Sequence, residues 1–170
     1  AKVAVIDLYK LEKFTGCVSC FGCKLPENLG KCICKDGLAP VLEAIRNAQQ
    51  IAVENNNQQM EQIHILLALL RQENGLIPQL LRKMDVTVES LDAAAEALLQ
   101  KLPRVTGSRE ADRFYISQET DNALQAANAQ AEAMKDAFVS VEHLLLGLLD
   151  AAAGEVKKLF STYRITKEQM

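Results

Sequence analysis

The chain has 170 residues, 49% of them apolar, a formal net charge of −3 and no tryptophan. That length suits one domain, or one domain with an appendage, and supplies apolar surface for a sizeable core. The slight acidic balance and the lack of a basic stripe argue against nucleic-acid binding, and the longest strongly apolar run, Ile63 to Leu70, is too short to span a bilayer.

The chain opens on "AKVAVIDLYK", whose apolar residues alternate as in a strand. It has neither the long apolar stretch nor the small-residue cleavage site of a signal peptide, so a cytoplasmic location is expected. All five cysteines follow within "CVSCFGCKLPENLGKCIC", residues 17–34. In a reducing compartment such thiols are more often metal ligands than disulfides, and an odd number cannot pair completely.

Helical spacing takes over from about residue 40. Leu42, Ile45, Ala48 and Ala52 form one apolar stripe, and "NNN" at 55–57 breaks that helix. Ile63, Leu66, Leu67 and Leu70 face a core from the next helix. Gly75 punctuates, and residues 76–84 form a short helix with Pro78 in its first turn. Thr87 caps a helix running to about Leu102, stopped by Pro103. After the joining segment "PRVTGSREADRFYI", Ser117 begins one helix and Ser140 another, with Glu142 favourable in its first turn. Thr166 and Gln169 have capping-box spacing, and the chain stops at Met170, before that last helix would be complete.

These elements repeat. "IHILLALL" (63–70) and "EHLLLGLL" (142–149) place His64 and His143 in one register, 79 residues apart. The offset also pairs Ala44, Ala48 and Ala52 with Ala123, Ala127 and Ala131, Gly75 with Gly154, and Thr87 with Thr166. The expected fold is all-α: two pseudo-symmetric repeats of a four-helix unit, the second truncated, behind a short irregular cysteine-rich segment. The corresponding divisions are 1–39 for that segment, 40–102 for repeat one, 103–116 for the linker and 117–170 for repeat two. The two histidines read either as structural hydrogen-bonding residues at helix starts or as a catalytic or metal pair; the first is the simpler reading. No Ser–His–Asp set stands out, and no G-x-x-x-x-G-K-[ST] phosphate loop occurs, so this sequence is not expected to hydrolyse ATP or to be an enzyme.

"LEAIRNAQQIA", "QIHILLALL", "GLIPQLLRKM", "LPRVTG", "YIS" and "FVSVEHLLLGLL" together resemble the amino-terminal domain of Clp-type AAA+ chaperones over about residues 40–170. The resemblance implies an all-α pseudo-dimer that engages unfolded or aggregated polypeptides, or adaptor proteins, for ATPase rings that this sequence does not contain. It implies no cofactor, nucleic acid or membrane. Members of that family begin with a Phe-Thr pair where Gly37 and Leu38 stand here, which weakens the client groove. The connecting Phe114, Tyr115 and Ile116 put apolar surface between the repeats and are the candidate client-binding residues; packing of the linker onto the core is the competing role.

The first 48 residues resemble an internal slice of a flavodoxin-like NAD(P)H-dependent oxidoreductase of the iron–sulfur flavoprotein kind. That resemblance carries metal ligands onto Cys17, Cys20, Cys23 and Cys32, for an iron–sulfur cluster or zinc. A reduced, unmetallated cysteine loop is the alternative. The family's first strand and phosphate loop would precede Ala1, so neither flavin binding nor NAD(P)H oxidation is expected. "VLEAIRNA" (41–48) suits both resemblances, which places the join of this fusion inside one helix. A client- or adaptor-binding module is therefore the leading expectation, and a metal-binding redox fragment the alternative.

Overall fold

The computed structural model describes residues 39–105, 115–136 and 138–169, with Lys24 and Pro26. Cys17, Cys20, Cys23, Cys32 and Phe114 lie outside these residues, as does the strand expected at the start of the chain.

Seven α-helices carry the described residues: α1 (Ala39–Glu54), α2 (Gln62–Leu70), α3 (Leu76–Lys83), α4 (Val88–Leu99), α5 (Gln118–Met134), α6 (Val141–Asp150) and α7 (Gly154–Thr162). A 3-10 turn at Lys167–Gln169 stands where the offset would start a counterpart of α4. The helix starts in the second half follow those in the first by 78 or 79 residues, so the repeat read in the sequence is also a repeat of structure.

Helix α2 lies at the centre. All nine of its residues are buried, because α1, α4 and α6 pack around it. Helix α6 takes the corresponding place in the second half, against α5 and α3. Leu66, Leu67, Leu145 and Leu146 are all in the buried core. Removing such side chains from water is the main favourable term of the fold.

Helix α1 departs from the expected stripe. Its buried residues are Val41, Ala44, Ala48 and Ala52, while Leu42 is 51% exposed. The helix is turned so that its alanines face α2. Small side chains let two helix backbones approach, and the bulkier Leu42 is left on the outer side. Helix α5 does the same with Ala123, Ala127 and Ala131. Against α6 the approach is close. A Cβ on Gly147 would lie 2.3 Å from Ala123 O and 2.6 Å from Ala127 N.

Helix ends follow local chemistry. Asn56 adopts φ 56° just past α1, a left-handed conformation that asparagine tolerates well. Ser117 caps α5, its Oγ accepting the Thr120 N–H at 3.2 Å. Helix α4 ends at Leu99 rather than near Leu102. The chain then tightens, with Lys101 N–H donating to Leu98 O and Leu102 N–H to Leu99 O.

The linker is not wholly irregular. Two short strands, β1 (Gln59–Met60) and β2 (Tyr115–Ile116), pair in parallel, Gln59 opposite Tyr115 and Met60 opposite Ile116. Val105 N–H donates to Asn56 O at 2.8 Å, and Ser117 N–H to Met60 O at 3.0 Å. The described ends of the linker, 103–105 and 115–116, thereby lie along the α1–α2 connection and tie the two halves together. Among the described residues no helix is long and apolar enough to cross a membrane.

Candidate functional site

The two histidines have a structural task. His64 is the third residue of α2, and its Nδ1 accepts the Glu61 N–H at 2.8 Å. The Glu61 side chain in turn accepts the His64 N–H, which completes a reciprocal cap. With Nδ1 accepting, the ring proton sits on Nε2 and is donated to Asn57 Oδ1 at 3.0 Å. Asn57 Nδ2 passes the chain on to Pro103 O at 3.2 Å, so this network also anchors the linker. Burial holds the His64 pKa below its ordinary value, although the Glu61 backbone and charge oppose that shift.

His143 repeats the arrangement in α6. Its Nδ1 accepts the Ser140 N–H at 3.0 Å. Asp136 Oδ2 lies 3.2 Å from His143 Nε2, but off the alignment of a good hydrogen bond, and Nε2 has no other partner among the described residues. Each histidine thus serves its own helix start. Among the described residues no group of three or more His, Cys, Asp or Glu side chains is placed to hold a metal ion.

Two surface clefts are formed among the described residues. Cleft one, of 610 Å³, lies between the start of α1, the α2–α3 turn and the start of α6. Cleft two, of 390 Å³, lies between the start of α2, the α6–α7 turn, the first turn of α5 and the end of α4. Their linings correspond at the 79-residue offset: Pro40 with Glu119, Gly75 with Gly154, Leu76 with Glu155, Ser140 with Glu61, Val141 with Gln62 and Glu142 with Ile63. They are one feature formed twice.

Their chemistry differs. Cleft one carries Glu43, Glu73 and Glu142 beside Phe138, Leu76 and Pro40. Its one cation among the described residues, Arg71, is already engaged. The guanidinium donates to Asp92 Oδ1 and Oδ2 at 2.8 and 3.0 Å and to Glu96 Oε2 at 2.8 Å. These bonds raise the Arg71 pKa further and hold the Glu96 carboxyl below its usual range. Cleft one therefore presents carboxylates, side-chain amides and a small apolar wall to a ligand. Cleft two is more apolar, with Ile63, Leu98, Leu102 and Val156 beside Lys101 and Glu155.

Of the candidate client-binding residues, Tyr115 and Ile116 are 51% and 48% exposed, so they do not pack the linker onto the core. Strand β2 leads within three residues to Glu119 on the rim of cleft two, and β1 leads directly to Glu61 on the same rim. The clefts themselves were not foreseen from the sequence. The signal was nonetheless there in the matched Gly75 and Gly154, which mark the same turn beside each cleft.

Residues 39–163 match the Clp repeat (R) N-terminal domain. The chain belongs to this family. The Clp domain of the chain is 38% identical over 129 residues to the chaperone protein ClpB of Bacillus cereus, an alignment covering 75% of the chain and 15% of that relative. The chaperone protein ClpB 1 of Parasynechococcus marenigrum is 41% identical over 107 residues, 63% of this chain and 12% of that one. The chain thus spans only a small part of the length of these curated relatives. Among solved structures, the Hsp104 N-terminal domain from Candida albicans superposes with a TM-score of 0.66 at 22% identity, over 76% of this chain and 82% of that one. The N-terminal domain of the ClpV1 ATPase from Escherichia coli gives 0.61 at 21% identity, over 74% and 76%. Both share the Clp fold. The stretch compared above with an oxidoreductase, residues 1–48, overlaps the matched residues only from 39 to 48 and, Lys24 and Pro26 aside, its first 38 residues are outside those described.

Proposed function

We propose that this chain is a client- or adaptor-binding domain of a cytoplasmic Clp-type protein unfoldase or disaggregase, and that it binds polypeptide without catalysing a reaction. The observation that carries this reading is the pair of matched clefts in a Clp repeat fold, with the exposed Tyr115 and Ile116 adjoining cleft two. An extended client supplies apolar side chains and main-chain donors and acceptors. Both clefts offer apolar side chains, and cleft one and strand β2 offer main-chain and polar partners. Phe114 belongs with Tyr115 and Ile116 in this surface on the strength of the sequence. Binding is weak, because the contact area is small and a disordered client loses conformational entropy.

Titration of a reduced, carboxymethylated model protein tests this reading. Binding is expected without ATP, and Tyr115→Ser should weaken it roughly fivefold, for about 1 kcal/mol lost from one exposed aromatic contact. Equal affinity of the two proteins would remove Tyr115 from the client surface.

The C-x2-C-x2-C-x8-C spacing of Cys17, Cys20, Cys23 and Cys32 favours a second, separate property, a thiolate-bound iron–sulfur cluster or zinc ion. Visible absorbance after anaerobic purification distinguishes the cluster, and bound zinc by elemental analysis distinguishes the ion. Neither would count against metal binding.

A further inference from the structure

The matched clefts differ at one buried pair of positions. Val141 in cleft one corresponds to Gln62 in cleft two. Gln62 is only 3% exposed, yet it belongs to the first half of the chain and makes its hydrogen bonds to the second. Its Nε2 donates to Glu119 O at 2.8 Å and to Ala151 O at 2.7 Å, and its Oε1 accepts the Ala153 N–H at 3.2 Å. Both amide protons and the carbonyl are thereby satisfied by backbone groups, of which those of Glu119 and Ala153 belong to residues lining the polar end of cleft two.

A primary carboxamide carries the carbonyl acceptor and the N–H donor of a peptide group, with one further N–H. The backbone groups that hold Gln62 are therefore groups that an incoming main chain or amide side chain would otherwise use. Cleft one has no such fixed occupant among the described residues. Val141 offers no polar side-chain atom; the carbonyl equivalent to Glu119 O, that of Pro40, takes a side-chain bond from the half-exposed Gln72 at 2.9 Å, and the carbonyl equivalent to Ala151 O, that of Gln72, accepts the neighbouring Gly75 N–H at 3.1 Å. A half-exposed glutamine can move aside with water replacing its bond, whereas a buried one that leaves strands three polar groups.

We propose that Gln62 is an internal ligand of cleft two: it occupies an amide-recognising subsite, so that peptide groups are gripped at cleft one and excluded from the polar end of its twin. This deepens the polypeptide-binding reading and rests on it for the use of cleft one. The Gln62 subsite itself rests only on the three hydrogen bonds.

Backbone-amide NMR of the full chain separates the two clefts, because Gly75 reports on cleft one and Ala153 on cleft two. The probes are the blocked peptide acetyl-Gly-Ser-Leu-Ser-Gly-amide and acetamide, which is the glutamine side chain beyond Cβ. In the wild type the peptide should shift Gly75 and leave Ala153 unmoved. In Gln62→Ala the peptide should shift both, and acetamide should shift Ala153 saturably. Movement of Ala153 together with Gly75 in the wild type overturns the proposal. So does a folded Gln62→Ala in which Ala153 answers neither probe. If the peptide moves neither amide in either protein, the polypeptide-binding reading fails, and acetamide alone then decides: a saturable Ala153 shift in Gln62→Ala, absent from the wild type, upholds the subsite. Should Gln62→Ala not fold, hydrogen exchange of the Gln62 side-chain amide in the wild type decides instead. Slow exchange throughout the peptide titration supports an internal ligand, and exchange as fast as that of an exposed glutamine overturns it.

Discussion

Gly147→Ala adds one methyl group in the middle of α6, and it should destabilise the domain although it improves helix propensity. Alanine is favoured over glycine in a helix interior by about 1 kcal/mol. At this position, however, the new Cβ would meet Ala123 O at 2.3 Å, Ala127 N at 2.6 Å and Ala127 Cβ at 2.8 Å. Ordinary contact begins near 3.4 Å, so α5 and α6 must part by about 1 Å at their crossing. The two closest atoms are backbone, and no rotamer change can relieve them. Overpacking a core costs typically about 1–3 kcal/mol, and a rigid obstacle puts this site at the upper end. The net loss should be about 2 kcal/mol, or roughly 4–8 °C in Tm for a domain of this size. Urea unfolding followed by helical circular dichroism measures it. The control is Ala68→Gly, the corresponding position in α2, which should cost about 1 kcal/mol through lost propensity. Opposite substitutions at matched positions should therefore both destabilise. A neutral or stabilising Gly147→Ala would refute the argument that backbone contact at the α5–α6 crossing selects glycine.

Leu145→Ala, at a fully buried position, should cost about 2–5 kcal/mol in urea unfolding through lost transfer energy and a residual cavity; a near-neutral result would remove it from the core. Acid should weaken the fold through His64. Its folded pKa lies below the ordinary value near 6.5, so the unfolded chain takes the proton first. The stabilisation is full above about pH 6.5 and declines as pH falls through that value toward the lowered folded pKa. The urea midpoint should therefore drop between pH 7.5 and 5.5 by more in the wild type than in His64→Gln, and parallel profiles would count against this assignment. If Cys17, Cys20, Cys23 and Cys32 hold metal, a chelator should increase amide exchange in residues 1–36 and leave the helical repeats protected. Equal exchange with and without chelator would sink the metal reading.

The helices and their repetition were legible in the sequence because both rest on local chemistry. Apolar residues at helical spacing, Ser117 and Ser140 at helix starts, and asparagines after α1 act within a turn or two of themselves. The constant offset carried that pattern through both halves, and the core leucines followed from it. Tertiary packing decided which face of α1 turns inward. Leu42 and Ala44 both fit a helix, but only the alanine face lets α1 close on α2, so burial went to the smaller residues. Helix capping by the histidines was legible as a preference for the structural reading. The partners of Nε2, Asn57 for one ring and an ill-aligned Asp136 for the other, depended on loops folding back. Least legible were the clefts and Gln62, whose hydrogen-bond partners are 57, 89 and 91 residues away. A glutamine at a helix start looks like surface until the second repeat is laid against it. Nothing local distinguishes it from Val141, its counterpart. The sequence by itself determined two copies of one helical unit; the tertiary structure decided that the copies are not equivalent, because a contact between repeats is made once and cannot be written in the pattern they share.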